Sequence, residues 1–262
     1  MSLRHADYSV YGDKGPWLVM SHGMGMDRHM FDAQLQSFSE YRIVTWDAPG
    51  HGTAYGDQDV GIAAGGDRLL SLLDKLAIGA AHMVGQSMGG YLVQEVARRA
   101  PEKVLSFTSV GSTPFGADYY EVFDRLSLRW AGQLMQLYPR PCLIRQTGRV
   151  SAYSEQARTY AMNALAQHAK RNFVRIVSAT YGELVDRSAP VLFHCPVLLT
   201  VGEHDAVGKV PQYTRRWAAD LGVKVHVISE AGHMANMDNA KYFNETLRAF
   251  LRRVDESSNA GA

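Results

Sequence analysis

Cysteine is scarce in this chain: Cys142 and Cys195 are its two, far apart in the sequence and in no metal-type spacing. A cysteine-built metal cluster is thereby excluded, and both are expected to be reduced packing residues. Charge of one sign is missing as well. Lys and Arg total 27 against 26 Asp and Glu, a formal net charge of +1, which offers no broad electrostatic footprint to nucleic acid or acidic lipid. No run approaches the roughly 20 apolar residues of a membrane span. The opening residues Met1, Ser2, Leu3, Arg4 and His5 are polar and charged rather than the apolar stretch of a secretory signal. Nucleic-acid and membrane partners are therefore disfavoured, and a cytoplasmic location is expected. Internal repeats and low-complexity segments are absent too.

What is present is ordinary globular composition, 46% hydrophobic and 20% charged, on a chain long enough for one large core with an insertion. Short apolar runs ending at glycine-rich turns and followed by amphipathic stretches recur towards both ends of the chain, the pattern of parallel strands alternating with helices. Strands are expected at 17–20, 42–46, 81–84, 104–110, 196–201 and 223–228. Helices are expected at 88–100, 212–221 and about 240–254, with a frayed tail at 257–262. From 114 to 189 the alternation stops, and helix formers and aromatics (Tyr119, Tyr120, Phe123, Trp130, Tyr138, Tyr153, Tyr160, Phe173) take over. The reading is an α/β core of residues 1–113 and 190–262 with a helical cap inserted at 114–189. Most of the aromatics should pack the cap onto the core, and some should line a pocket.

In open α/β sheets ligands collect outside the carboxyl ends of the strands, and the chemically interesting residues stand there. Gly85, Gln86, Ser87, Met88 and Gly89 form G-x-S-x-G between an apolar strand and a helix with Leu92, Val93 and Val96 on one face. Glycines two before and two after the serine permit a turn too tight for side chains, which leaves the hydroxyl exposed above the sheet. A serine needs a base and a group to orient that base. His233, after Ala231 and Gly232, follows the 223–228 strand and is the best placed of ten histidines; His226 and His204 are weaker. Asp205, in the run Gly202, Glu203, His204, Asp205, follows the 196–201 strand and is the favoured acid, with Glu203 and then Asp238 as rivals.

Donors for an oxyanion are expected from the backbone amides of Met88, next to the nucleophile, and Met24, in the loop His22, Gly23, Met24, Gly25. His22 itself reads as structural, holding that loop by hydrogen bonds. A second glycine-rich loop, Asp47, Ala48, Pro49, Gly50, His51 and Gly52, reads as a turn braced by side-chain to backbone bonds rather than a metal or phosphate site.

Taken together, the segments 22–25, 47–52, 85–89, 202–205 and 231–233 resemble the α/β-hydrolase superfamily over nearly the whole chain. Within it, residues 21–31, 47–52 and 233–236 are similar to small capped esterases and, loosely, to the 3-oxoadipate enol-lactonase group. The resemblance implies an α/β-hydrolase fold with a mostly parallel sheet of about eight strands. It also implies, by position, the roles assigned to Ser87, Asp205, His233, Met24 and Met88. Ser87 stands where epoxide hydrolases and haloalkane dehalogenases of this fold have an aspartate, which excludes those activities.

The expected function is hydrolysis of a carboxylic ester or lactone through an acyl-enzyme, with a small-molecule substrate, no metal and no organic cofactor. Carbon-carbon bond hydrolysis or perhydrolysis on the same triad, acyl transfer to another alcohol, and a ligand receptor with vestigial turnover are the alternatives. The cap, which determines much of the substrate choice, carries no matching motif, and a homodimer stays open.

Overall fold

The computed structural model describes residues 2–4, 7–187 and 189–260. Eight strands form one sheet: β1 (Ser2–Arg4), β2 (Tyr8–Tyr11), β3 (Trp17–Ser21), β4 (Arg42–Trp46), β5 (Ala81–Gln86), β6 (Val104–Val110), β7 (Val197–Gly202) and β8 (Val225–Ile228). Their spatial order is β1-β2-β4-β3-β5-β6-β7-β8. From β4 to β8 every pairing is parallel, while β1 and β2 add antiparallel at one edge. That edge hairpin is absent from the sequence expectation, because its mixed polar residues lack the long apolar run of a parallel strand buried on both faces.

Alternate side chains along each strand enter opposite layers. Trp17, Val19, Val44, Trp46, Met83, Phe107 and Leu199 join one apolar cluster, with α2 (Ile62–Lys75), α3 (Met88–Arg99) and α8 (Val210–Leu221) packed over it. Leu18, Met20, Ile43, Val84, Val110 and Leu198 join the other, beneath the short α1 (Asp32–Leu35) and α9 (Ala235–Asp238) and the long α10 (Ala240–Ala260). α10 supplies Phe243, Leu247, Phe250, Leu251 and Val254 on a single face. Its helix continues six residues past the expected end at Val254, so the tail expected to fray is helical through Ala260; Met1, His5, Gly261 and Ala262 lie outside the described residues.

Between β6 and β7 the described residues make four α-helices and no strand: α4 (Val122–Gln136), α5 (Arg140–Ser151), α6 (Glu155–Gln167) and α7 (Lys170–Asp186). Their inner faces enter the two core clusters, Ile176 and Leu184 in one and Leu143, Leu165 and Phe173 in the other. The outer face of α4 is apolar and solvent-facing at Val122, Phe123, Leu126, Trp130 and Leu134. No described helix is long and apolar enough to cross a membrane. Both cysteines are free and half-buried, and burial pushes the Cys195 thiol up to about 11.

β3 is flanked by β4 on one side and β5 on the other, so the strand order reverses there. A crevice at the carboxyl ends of β3 and β5 follows from that reversal, and the loops at 22–25 and 86–88 open onto it.

Candidate active site

Ser87 sits at the turn from β5 into α3 with φ 49° and ψ −115°, a conformation that costs a non-glycine residue on the order of 1–3 kcal/mol. Its amide donates to the Val110 carbonyl at 2.9 Å, and its carbonyl accepts from the Gly90 amide at 2.9 Å. The glycines of the motif are required by close approach. A Cβ on Gly85 would lie 2.5 Å from the Gly90 Cα, and one on Gly89 would lie 2.0 Å from the Ser21 carbonyl oxygen.

His233 arrives on the loop after β8, and its carbonyl accepts from Gln86 Nε2 at 3.0 Å, so the residue before the serine anchors the histidine backbone. The imidazole Nε2 is 2.9 Å from Ser87 Oγ, and Nδ1 is 2.8 Å from Asp205 Oδ2. A carboxylate only accepts, so Nδ1 carries the proton and Nε2 presents its lone pair to the serine hydroxyl. The Asp205 side chain is fully buried, and its second oxygen accepts from the Val207 amide at 3.0 Å. Among the rivals, Glu203 turns outward to the Glu230 amide and to His204, and Asp238 accepts from the Gly232 amide instead of reaching the imidazole. His226 is exposed, and His204 stacks on Tyr153.

The amides of Met24 and Met88 face no hydrogen-bond acceptor among the described residues. Met88 opens α3, where the first amides have no partner within the helix and the helix dipole favours negative charge. The Met24 amide shares its peptide unit with the Gly23 carbonyl, which His22 Nδ1 and the Met26 amide bind at 2.8 and 3.1 Å. Those two bonds hold the peptide plane. The other nitrogen of His22 accepts from the Ala48 amide at 3.0 Å, and burial holds the ring neutral by lowering its pKa.

The second glycine-rich loop is braced as expected. Asp47 is buried and accepts from the amides of Arg28 and Thr53 at 2.8 and 2.9 Å and from the Thr53 hydroxyl at 2.8 Å. No group of three or more His, Cys, Asp or Glu among the described residues could hold a metal ion.

A cavity of about 140 Å³ opens over Ser87 and His233. Met24 and Met26 wall it from the β3 loop, and the inserted helices cover it with Met135, Thr147, Val150, Ser151, Phe173 and Tyr181. Of the aromatics singled out in the sequence, Phe173 reaches this cavity, whereas Phe123, Trp130, Tyr138 and Tyr153 are exposed. Met135, Thr147, Val150, Ser151 and Tyr181 escaped sequence reasoning, since a helical face turned to a pocket has the same spacing as one turned to a core.

The model of the alpha/beta hydrolase family matches residues 18–246. The chain is 29% identical over 263 residues to the dihydrolipoyllysine-residue acetyltransferase component of the acetoin cleaving system of Pseudomonas putida. That match covers 94% of this chain and 66% of the relative, so the chain spans about two thirds of that protein's length. It is 27% identical over 265 residues to a 2-hydroxy-6-oxononadienedioate/2-hydroxy-6-oxononatrienedioate hydrolase of Burkholderia vietnamiensis, covering 94% of this chain and 90% of the relative. The fold is similar to that of the enol-lactonase from Burkholderia xenovorans LB400, with a TM-score of 0.73 at 19% identity over 94% of this chain and 95% of that one. With a family model spanning most of its length and the sheet order described above, the chain belongs to the alpha/beta hydrolase family.

Proposed function

We propose that the chain is a serine hydrolase that cleaves a carboxylic ester or lactone through an acyl-enzyme on Ser87. The observation that carries this reading is the continuous series Ser87 Oγ, His233 Nε2, His233 Nδ1, Asp205 Oδ2, with contacts of 2.9 and 2.8 Å, at the floor of a largely apolar cavity. His233 takes the proton as Ser87 attacks the carbonyl carbon, and Asp205 stabilises the imidazolium and keeps its tautomer. The negative oxygen of the tetrahedral intermediate is received by the amides of Met24 and Met88, each such donor contributing about 10²–10³ in rate. His233 then protonates the leaving alcohol, and the same nitrogen activates the water that frees the acid. Residues 114–189 act as the cap that selects the substrate.

A second reading is cleavage of a carbon-carbon bond beside a ketone on the same residues. It is favoured by curated relatives, the Burkholderia vietnamiensis protein among them, named as hydrolases of 2-hydroxy-6-oxononadienedioate.

The test is a short-chain p-nitrophenyl ester assay on wild type and Ser87→Ala, joined to mass spectrometry after treatment with a fluorophosphonate probe. Ester turnover in wild type, its loss in the variant and a single adduct on Ser87 support the proposal. Labelling of Ser87 without ester turnover, combined with cleavage of a vinylogous diketone, supports the carbon-carbon reading. Neither labelling nor turnover sinks both.

A further inference from the structure

A second cavity, of about 220 Å³, adjoins the one over Ser87 and shares two wall residues with it, Tyr181 of α7 and Val207 of the loop after β7. The two chambers lie side by side, with those side chains as their common wall. The second is roomy, since an apolar cavity of about 150 Å³ accommodates benzene.

Its chemistry is uneven. Leu128 and Leu184 make one part apolar. Elsewhere the Tyr120 hydroxyl donates to the Pro114 carbonyl at 2.7 Å, and Thr113 Oγ1 lies 2.6 Å from Tyr120 Oη and 2.8 Å from Tyr91 Oη. With the Tyr120 proton committed to Pro114, Thr113 must donate to Tyr120 and Tyr91 must donate to Thr113. The series therefore ends on unfilled lone pairs of Tyr91 Oη, an acceptor for a ligand N–H or O–H. The Tyr181 hydroxyl, at the junction of the chambers, has no hydrogen-bond partner among the described residues.

Charge points the same way. Lys209 is the one Lys or Arg among the residues lining either chamber. Its ammonium is already 2.6 Å from Glu121 and 2.9 Å from Asp124, and Asp124 also accepts from the Tyr213 hydroxyl. Two carboxylates on one ammonium leave a local charge of −1. A carboxylate entering there would meet that like charge with no free cation to pair.

We propose that the second chamber is a substrate subsite for a neutral arm, an apolar group of about phenyl size that carries a hydroxyl or amide N–H. By the same reasoning, neither chamber accepts a carboxylate-bearing arm. The assignment rests on the Ser87 hydrolase reading above and narrows it to neutral two-armed substrates.

Two ester series test it, one varied in the acyl arm and one in the alcohol arm, each with a phenyl-sized group ending in methyl, hydroxyl or carboxylate. In one series the hydroxyl-ended arm should raise kcat/KM at least 10-fold over the short ester. In both, the carboxylate-ended arm should fall at least 10-fold below its hydroxyl counterpart. Leu128→Trp, which fills the chamber, should remove the gain. The double variant Glu121→Gln, Asp124→Asn, which frees Lys209, should shrink the carboxylate penalty at least 5-fold. Fluorophosphonate labelling of Ser87 and the unfolding temperature are read for every protein. A wild type that neither labels nor turns over short esters refutes the hydrolase reading itself. A labelled wild type that prefers the carboxylate-ended arm, or a labelled Leu128→Trp that keeps the gain, overturns the chamber assignment. Should Leu128→Trp fail to fold, the carboxylate comparison on wild type still decides.

Discussion

Asp205 and Glu203 stand two residues apart on one loop, yet their surroundings differ completely. Asp205 is sealed from solvent between the His233 imidazole and the Val207 amide, while Glu203 is half exposed beside His204. Changing the first should therefore matter far more than changing the second. Asp205→Asn should lower kcat by about 10⁴-fold, because the amide no longer enforces the Nδ1–H tautomer; Glu203→Gln should stay within a few-fold of wild type. Ser87→Ala should cost about 10⁶-fold. Ester kinetics on the three purified variants check the ranking, and a Glu203→Gln loss comparable with that of Asp205→Asn would reverse the assignment of the acid.

Asp238 is the link between two elements. Its carboxylate accepts from the Gly232 amide at 2.8 Å, next to His233, and from the Tyr153 and Ser154 amides at 3.0 and 2.8 Å, at the junction of α5 and α6. The Met234 amide adds a bond to the Ser151 carbonyl at 2.9 Å beside it. One side chain thus fastens the inserted helices to the loop that carries the imidazole. Hydrogen bonds to a charged acceptor are each worth about 1.5–3 kcal/mol, and Asp238 is partly exposed, so a net loss of about 2 kcal/mol for Asp238→Ala is the sensible scale. The unfolding temperature should fall by roughly 4–8 °C, and limited proteolysis should open residues 151–154 first. Strands that are long and apolar were legible in the sequence, whereas the short β1–β2 edge of mixed polarity was not, and α10 was ended at Val254, where its apolar spacing stops.

At the scale of the whole molecule, a cluster of buried histidines makes stability depend on pH on the acid side. His22, His51 and His168 come from three different segments and meet in one cluster, with ring centroids 4.9 Å apart for His22 and His51 and 5.5 Å for His51 and His168. Burial lowers the pKa of all three, taking His168 down to about 4. An unfolded histidine titrates near 6.5. Between about pH 6.5 and 4 the unfolded chain therefore binds a proton at His168 that the folded protein refuses, so stability is complete above that window and falls as pH falls through it. The gap is worth about 3 kcal/mol for His168 alone. Thermal unfolding from pH 7 to pH 4 should show this decline, and His168→Gln should flatten it; an unchanged slope would show that the cluster is not its source.

Chemistry that depends on local backbone was legible in the sequence. The strained turn at Ser87 needs its glycines within five residues, and strand-loop order alone brought Asp205 and His233 into consideration. Which carboxylate meets the imidazole was a matter of fractions of a turn in one loop, and the sequence left Glu203 and Asp238 open. The two chambers, the Tyr181 junction and the Lys209 cluster depend on side chains from α3, α4, α7 and the loops after β6 and β7, drawn together from positions as far apart as Met24 and Met234. Periodicity says which face of each helix turns inward. Whether that face meets another side chain or an empty volume is decided only when the layers pack.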